Sequence, residues 1–348
     1  EGTTKISSAL SARYIEEVLE HAGIFYERIQ PAQLRRIEPV EIIERIDEYA
    51  LIILPGHSNL DRLQKDKLKQ FVQSGGALIG IGGTSRLGRL FGVSTTGELR
   101  EGYIQVTDES CPITSNLRSS LHVFGGRRVV ATQGKSLARV VNPKGQIIGD
   151  AIVEREVGEG YTLLFGPDLL KSIIHIQQGI PVTQDGRSAP DGSAPLNDSI
   201  LKTEDGFVLD WEKDRRPIPP DTQPIFIEPI TDELRELIIK GVMHCLGRRS
   251  ISSPILWYWP RRLKSIAMMS HDSDGNNQNL AWSLLRVTDK LNLQTTWCIL
   301  YPGGYTQEFY QTLKEKGYEI ALHYDALTGS EYTRWSQEDF DFQHAWLL

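Results

Sequence analysis

Apolar positions in the first part of the chain alternate between the spacing of a helix and the continuous runs of buried strands. Apolar residues at helical spacing predict a helix over residues 7–22. Residues 49–54 and 77–81 are apolar almost throughout, which is typical of strands buried on both faces of a parallel sheet. The amphipathic stretch 61–73 predicts a helix between them. Two short elements are also predicted, a strand at 25–29 and a helix at 39–46. This order predicts an α/β fold with a doubly wound, flavodoxin-like sheet.

The middle of the chain predicts antiparallel hairpins and then a long connection. Short apolar stretches separated by Gly, Asn and Pro are typical of hairpins, and they lie at 128–131, 137–141, 146–153 and 161–165. Asp168 is placed to cap a helix that runs to Gln178. Residues 179–224 are rich in Pro, Gly, Asp and Ser, which predicts an irregular connection. A further helix is predicted from Asp232 to Leu246.

A second alternation of strands and helices begins after Ser252-Ser253-Pro254. Strands are predicted at 265–269, 295–300 and 318–322, with a helix after each of the first two. Consecutive βαβ units of this kind place their strands in parallel, with right-handed crossovers. We therefore expect two domains, over residues 1–250 and 251–348.

The composition of the chain limits the classes of partner that it is expected to bind. The chain has 348 residues and a formal net charge of −7. A mildly acidic chain offers no electrostatic basis for binding nucleic acid or an anionic membrane. No apolar run approaches the ~18 residues of a membrane span. Cys111, Cys245 and Cys298 are far apart and odd in number, so they predict neither a disulfide framework nor a Cys-x-x-Cys metal site.

The stretch richest in chemistry is Ser270-His271-Asp272-Ser273-Asp274-Gly275, directly after a predicted strand. Extended residues alternate between faces, so Asp272 and Asp274 point to the same side. Two neighbouring carboxylates repel each other, and a bound cation relieves that repulsion. His323 ends another predicted strand, and the carboxyl ends of barrel strands meet at one mouth. A carboxylate and an imidazole there supply part of a ligand set for Zn²⁺ or a similar ion. The alternative is an Asx turn that binds no metal.

These residues resemble the polysaccharide deacetylase family. Its first motif is an aspartate pair followed by Gly at a strand end, and a subset reads Thr-His-Asp-x-Asp, close to residues 270–274 here. Residues 317–323 (GYEIALH) match the family's Gly-x-Glu-Ile-x-x-His strand, and the resemblance covers about residues 260–330. It implies a distorted (β/α) barrel. It also implies that Asp272 is the base that activates the attacking water, and that Asp274 and His323 bind a divalent metal, expected to be zinc.

The chain departs from the family pattern at the next ligand. The family usually has a second metal-binding histidine four residues after the first, and that position is Leu327 here. Either Asp325 substitutes for it or a histidine follows Leu348. Residues 251–348 are about half the length of a catalytic domain of this class. Since both ends also look like cuts, we expect a fragment that holds the first half of the barrel and is inactive alone.

The first domain resembles class I glutamine amidotransferases without their nucleophile. The resemblance lies in the Ile-Leu-Pro-Gly loop at 53–56 and in the segment Gly80-Ile81-Gly82-Gly83-Thr84. Active members have Gly-x-Cys-x-Gly in this turn. Here the cysteine position is Gly82 and the last glycine position is Thr84. A glycine cannot attack an amide, so we expect a non-catalytic domain. Anion binding by the N–H groups of this turn is the alternative.

Two functions are compatible with these patterns. The first is a metal-dependent hydrolase that removes N- or O-acetyl groups from a carbohydrate or other small acetylated substrate through a metal-activated water. It would cleave a non-peptide carbon–nitrogen bond or an ester. The second is a non-catalytic protein that binds a glycan or a partner through a degenerate deacetylase barrel. We expect no nucleic-acid partner and no membrane span. The sequence leaves open the compartment and whether the protein forms a homo-oligomer.

Overall fold

The computed structural model describes residues 8–29, 48–117, 120–194, 197–199, 201–220, 222–256, 259–325 and 337–348. The chain divides into two compact units, one within residues 1–256 and the other within 257–348. Both units combine strands with helices, which confirms the prediction of an α/β protein at that level. The helix predicted at 39–46 and the position of Leu327 lie outside the described residues.

Nine strands of the first unit form one mixed sheet. They are β1 (Leu51–Pro55), β2 (Ala77–Ile81), β3 (Val93–Glu98), β4 (Glu101–Val106), β5 (Leu121–Phe124), β6 (Arg127–Ala131), β7 (Lys135–Val141), β8 (Ile147–Val157) and β9 (Gly160–Phe165). Their order is β1-β2-β9-β8-β7-β4-β5, while β6 pairs with both β8 and β3. Strands β1, β2 and β9 are parallel. The other pairings are antiparallel.

Helices cover both faces of the parallel strands. The helices of this unit are α1 (Ser8–His21), α2 (Arg62–Gln73), α3 (Gly88–Phe91), α4 (Leu169–Gln178) and α5 (Ile230–Arg248). Ile79 and Ile81 pack in one core with α1, α4 and α5, and Leu78 packs in a second core with α2 and α3. Strand β2 is buried along its whole length, which explains its unbroken apolar run. Each of these side chains contributes ~1.5–3 kcal/mol by burial.

Two aspartates fix the beginnings of helices next to the sheet. The carboxylate of Asp61 accepts a hydrogen bond from the Gln64 N–H, and the Gln64 side chain accepts one from the Asp61 N–H, both at 2.9 Å. Asp168 accepts from the Lys171 N–H at 3.0 Å, as predicted for the start of α4. Each arrangement satisfies N–H groups that the first turn of a helix leaves without partners.

One local prediction for the first unit is wrong, and two others are confirmed but incomplete. Residues 25–29 form no strand, because pairing on this segment is limited to a single bridge between Ile24 and Ile255. The stretch at 161–165, predicted in a hairpin, pairs antiparallel with β8 but also parallel with β2. The irregular connection contains a short 3₁₀ turn and two brief strands, β10 (Arg216–Pro217) and β11 (Pro224–Ile225).

The second unit is a three-stranded parallel sheet with helices. Its strands are β12 (Ser270–Asp272), β13 (Thr296–Leu300) and β14 (Glu319–His323), in that order, and its helices are α6 (Gln278–Lys290), α7 (Gln307–Glu315) and α8 (Gln337–Leu347). Trp297 and Ile299 are buried against Leu285 of α6 and Phe309 of α7. The strand predicted at 265–269 is wrong, since pairing with β13 begins at the Met269 carbonyl and strand β12 starts at Ser270.

Candidate functional site

The register of the second sheet places Asp272 and His323 on one face. Asp272 pairs with Cys298, and Leu300 pairs with His323. Because side chains alternate along a strand, all four lie on the face opposite to the one that Trp297 presents to the helices. The predicted position of His323 at the end of its strand is confirmed.

The turn after β12 is fastened to the end of β13. The Ser273 hydroxyl accepts a hydrogen bond from the Leu300 N–H at 3.1 Å and donates one to the Asn276 side chain at 2.7 Å. The Asn276 amide in turn donates to the carbonyls of Leu300 and Gly303, at 2.8 and 2.6 Å. Between them, Gly275 has φ +71°, a conformation that favours glycine. These contacts hold Asp274 at the carboxyl edge of the sheet.

Asp274 and His323 meet at this edge. The Oδ1 atom of Asp274 lies 3.5 Å from Nδ1 of His323. The Asp274 side chain is exposed and that of His323 is partly buried. The Nδ1 atom itself is inaccessible to solvent and forms no hydrogen bond with the described residues. Of the three residues predicted for the site, these two are brought into contact.

The pair has the spacing of two ligands of one cation. Two ligand atoms that each lie ~2.1 Å from a tetrahedral Zn²⁺ are ~3.4 Å apart, close to the 3.5 Å between Asp274 Oδ1 and His323 Nδ1. A buried ring nitrogen that forms no hydrogen bond with the described residues is costly, and a cation between the two groups would satisfy it. The residues present therefore fit part of a zinc site.

Asp272 lies on the same face as this pair but is not part of the same contact. Its carboxylate is exposed and accepts a hydrogen bond from the Cys298 thiol. Burial, together with the charge of Asp272 and this hydrogen bond, raises the pKa of Cys298. The ligand atoms of Asp272, Asp274 and His323 do not all lie within 4.8 Å of one another. Asp272 thus lies on the same face of the sheet but outside the contact between Asp274 and His323.

Two residues next to this pair, Asp325 and His271, have contacts of their own. The Asp325 N–H donates to Gln343 Oε1 at 2.9 Å, and Gln343 Nε2 donates to the Asp325 carbonyl at 2.8 Å, which ties the chain after β14 to α8. His271 faces away from the aspartates and packs edge-to-face on Trp297, with ring centroids 5.3 Å apart. Nε2 of His271 is buried and forms no hydrogen bond with the described residues, and burial lowers the pKa of His271.

A second cluster, which the sequence did not indicate, lies in the first unit. The ligand atoms of Cys111, Glu154 and His244 all lie within 4.8 Å of one another. Tyr161 donates a hydrogen bond to Glu154, and its hydroxyl is 3.0 Å from His244 Nε2. Hydrogen bonds with His244 and Tyr161 outweigh burial and lower the pKa of Glu154. Since Tyr161 joins Glu154 and His244, we describe these three residues as a hydrogen-bonded network, with the Cys111 thiol, whose pKa burial raises, beside it.

A third group, also missed, joins the sheet to the irregular connection. His122 Nδ1 is 2.7 Å from Asp214 Oδ2, and His122 Nε2 is 3.1 Å from Glu101 Oε1. His122 and Asp214 are both buried. The three residues come from distant parts of the chain, so no local spacing could have indicated them.

The turn after β2 has no space for a nucleophile. Gly82 has φ +72°, and a Cβ atom there would lie 2.9 Å from the side chain of Asp168. The Gly82 N–H is already bound to the Phe165 carbonyl at 2.8 Å. A cysteine at this position would require Asp168 to move.

Comparisons with known proteins identify no family. No family model matches the chain, and no curated protein matches it. A solved cytoplasmic protein from Salmonella typhimurium is 17% identical, with a TM-score of 0.39 over 46% of this chain and 76% of that chain. A β-galactosidase from Bacillus circulans sp. alkalophilus is 14% identical, with a TM-score of 0.38 over 53% of this chain and 30% of that one. Likenesses this distant identify neither a fold nor a function.

The described part of the chain includes no helix with the length and apolar character needed to cross a bilayer.

Proposed function

We propose that the protein is a metal-dependent hydrolase of the polysaccharide deacetylase kind, which removes acetyl groups from a carbohydrate or another small acetylated substrate. The observation that supports this proposal is the 3.5 Å separation of Asp274 Oδ1 and His323 Nδ1 at the carboxyl ends of parallel strands. That spacing suits two ligands of one divalent cation, for which zinc is the best match to a carboxylate and an imidazole.

Each residue has one role in this proposal. Asp274 and His323 hold the cation, which when bound polarises the acetyl carbonyl and lowers the pKa of water. Asp272, exposed on the same face, accepts the proton of the attacking water. The Cys298 thiol fixes the orientation of that carboxylate by donating a hydrogen bond to it. Either an amide or an ester substrate is compatible with these groups.

We also propose finer fold assignments for the two units. The second unit is the first half of a distorted (β/α) barrel, supported by its three parallel strands joined by helices. The first unit is a non-catalytic relative of the amidotransferase-like, doubly wound fold. Its parallel strands β1, β2 and β9 between two helical layers support this, and Asp168 occupies the space that a nucleophile at position 82 would need.

Acetate release by the full-length protein tests the proposal. The substrates are a panel of N- and O-acetylated oligosaccharides, assayed with added zinc. We expect Asp272→Asn to abolish turnover, because an amide cannot accept the proton, while zinc binding persists. Asp232→Asn, which makes the same change at an exposed carboxylate of the first unit, should keep full activity. Full activity of Asp272→Asn would remove this residue as the base, and no release from any substrate would reject the hydrolase.

The alternative is a binding protein whose barrel has lost catalysis. It is favoured by the incomplete ligand set, because Asp274 and His323 are only two ligands and the family's second histidine position is Leu327. Glycan binding by the full-length protein without zinc uptake and without turnover would support this alternative over the hydrolase.

A further inference from the structure

A surface cavity of about 610 Å³ lies at the carboxyl ends of the parallel strands of the first unit. It is bounded by His57, which follows β1, and by the loop Thr84–Leu90, which follows β2. Arg127 and Lys69 complete its polar wall, and Val93 belongs to its apolar side. Ligands of α/β proteins bind preferentially at this edge of a sheet, and the volume is in the range of pockets for small molecules.

The cavity wall is cationic. Its lining includes Arg86, Arg89, Arg127, Lys69 and His57 and no carboxylate. Lys69 and Arg127 have acidic partners outside the lining, Asp66 at 2.8 Å and Glu98 at 3.2 Å. In contrast, the guanidinium groups of Arg86 and Arg89 form no ion pair with any residue that the structure describes. The cavity therefore concentrates positive charge in a chain whose net charge is −7.

The loop that carries Arg86 is held in an unfavourable conformation. Ser85 and Arg86 have φ values of +47° and +61°, which cost free energy for residues other than glycine. The Ser58 N–H donates to the buried Ser85 hydroxyl at 3.0 Å, and this bond joins the loops after β1 and β2. The hydrogen bond between Ser58 and Ser85 therefore helps to hold the loop, and with it Arg86, in this conformation at the cavity.

We propose that this cavity binds a small organic dianion, of the phosphate-ester or dicarboxylate kind. The planar guanidinium groups of Arg86, Arg89 and Arg127 match the oxygens of either group and donate paired hydrogen bonds to them. The cavity is much larger than an inorganic anion needs, and Leu87, Leu90 and Val93 provide apolar surface for the organic part. His57 lies against Gly83, where a Cβ atom would come within 3.2 Å of the imidazole.

The imidazole of His57 reports on the occupant. Burial, and then the charges of Arg127 and Arg86, lower the pKa of His57. A bound dianion offsets those two charges, so the pKa of His57 rises when the cavity is filled. Replacement of Arg86 or Arg127 by glutamine raises the same pKa without ligand.

Titration calorimetry at low ionic strength tests the proposal on the whole protein, with glucose 6-phosphate, malate and uncharged glucose as probes. We expect saturable binding of at least one of the two dianions and none of glucose. Arg86→Gln should weaken that binding about tenfold or more, and Arg86→Gln with Arg127→Gln should abolish it. Arg62→Gln is the matched control, because the Arg62 side chain is 96% exposed on α2 and outside the cavity.

Three results would overturn the proposal. They are no saturable binding of either dianion, equal binding by wild type and the double variant, and equal weakening by Arg62→Gln and Arg86→Gln. The C2–H resonance of His57 gives an independent measurement of the pKa of His57. The same measurement applies to Arg86→Gln, because Arg86 is exposed and its replacement leaves the core intact. A rise in the pKa of His57 with glucose 6-phosphate or malate supports the site, and an unchanged pKa at saturation contradicts it.

Discussion

Asp274 Oδ1 lies 3.5 Å from His323 Nδ1, although Asp274 follows β12, His323 ends β14, and β13 lies between these strands in the sheet. The turn after β12 produces this contact, because Ser273 and Asn276 bind the end of β13 and carry Asp274 along the sheet edge. Neither strand alone brings the groups together. The contact is a property of the parallel arrangement, and the proposed chemistry of the second unit depends on it.

The pH dependence of stability should reveal the charge on His122. Burial opposes that charge, but hydrogen bonds with Asp214 and Glu101 outweigh it and raise the pKa of His122. A raised pKa in the folded state stabilises the fold fully below the unfolded pKa of ~6.5. The contribution is lost as the pH rises through the folded pKa. At pH ~6, the free energy of unfolding of His122→Gln should therefore be lower than that of wild type by ~3 kcal/mol. This difference should become smaller as the pH rises.

The measurement for this prediction is the difference between the unfolding free energies of wild type and His122→Gln. The pH dependence of the wild-type stability is not sufficient by itself. His57 and His175 have lowered pKa values, so their contributions to stability change with pH in the opposite direction. A difference that is the same at pH ~6 and at a pH well above ~6.5 would show that folding does not raise the pKa of His122.

Two leucines of helix α6 should differ sharply in their effect on the second unit. Leu285 is 2% exposed and packs under β13, whereas Leu280 is 69% exposed. Leu285→Ala should lower the free energy of unfolding by ~2–5 kcal/mol, because it removes buried surface and leaves a cavity. Leu280→Ala should change it by no more than ~0.5 kcal/mol. Hydrogen exchange of the β13 amides measures both. Equal protection losses in the two variants would contradict the packing described for α6.

The hydroxyl of Tyr161 should be important for the fold of the first unit. It donates to Glu154 and contacts His244, and the residue is buried. Tyr161→Phe leaves these groups short of a partner and should cost ~1–3 kcal/mol in urea unfolding. Tyr26→Phe is the control, since that exposed hydroxyl bonds only to the exposed Glu20 among the contacts described, at 2.6 Å. If Tyr161→Phe is no less stable than Tyr26→Phe, the network does not stabilise the fold.

Much of the fold could be predicted because local patterns reflect burial. Strand β2 is buried on both faces, so its apolar run was visible in the sequence. Asp168 was predictable as a cap because it accepts a bond from a residue only three positions away. By contrast, the apolar pattern predicts no strands at the positions of β3, β4 and β5. The apolar character of residues 265–269 predicts a strand, yet a strand also needs a partner, and β13 begins too late to provide one.

The site was predictable only as far as local motifs extend. Asp272, Asp274 and His323 each stand at a strand end, which is a local feature, but the distance between them depends on the register of three strands. The cluster of Cys111, Glu154 and His244 combines a loop, a strand and a helix that are far apart in the chain. The cationic cavity likewise joins the loops after β1 and β2 with residues of α2, β3 and β6, so no spacing rule could have located it.

The most direct test of the central claim is the number of zinc ions bound by the whole protein and by His323→Asn, measured by titration calorimetry and elemental analysis. His344→Asn is the control, because that histidine is exposed on α8. We predict that His323→Asn binds one zinc ion fewer than wild type while His344→Asn binds the same number, because the proposal assigns His323 and Asp274, 3.5 Å apart, as two ligands of one ion. The same zinc stoichiometry and affinity in wild type and His323→Asn would contradict the account.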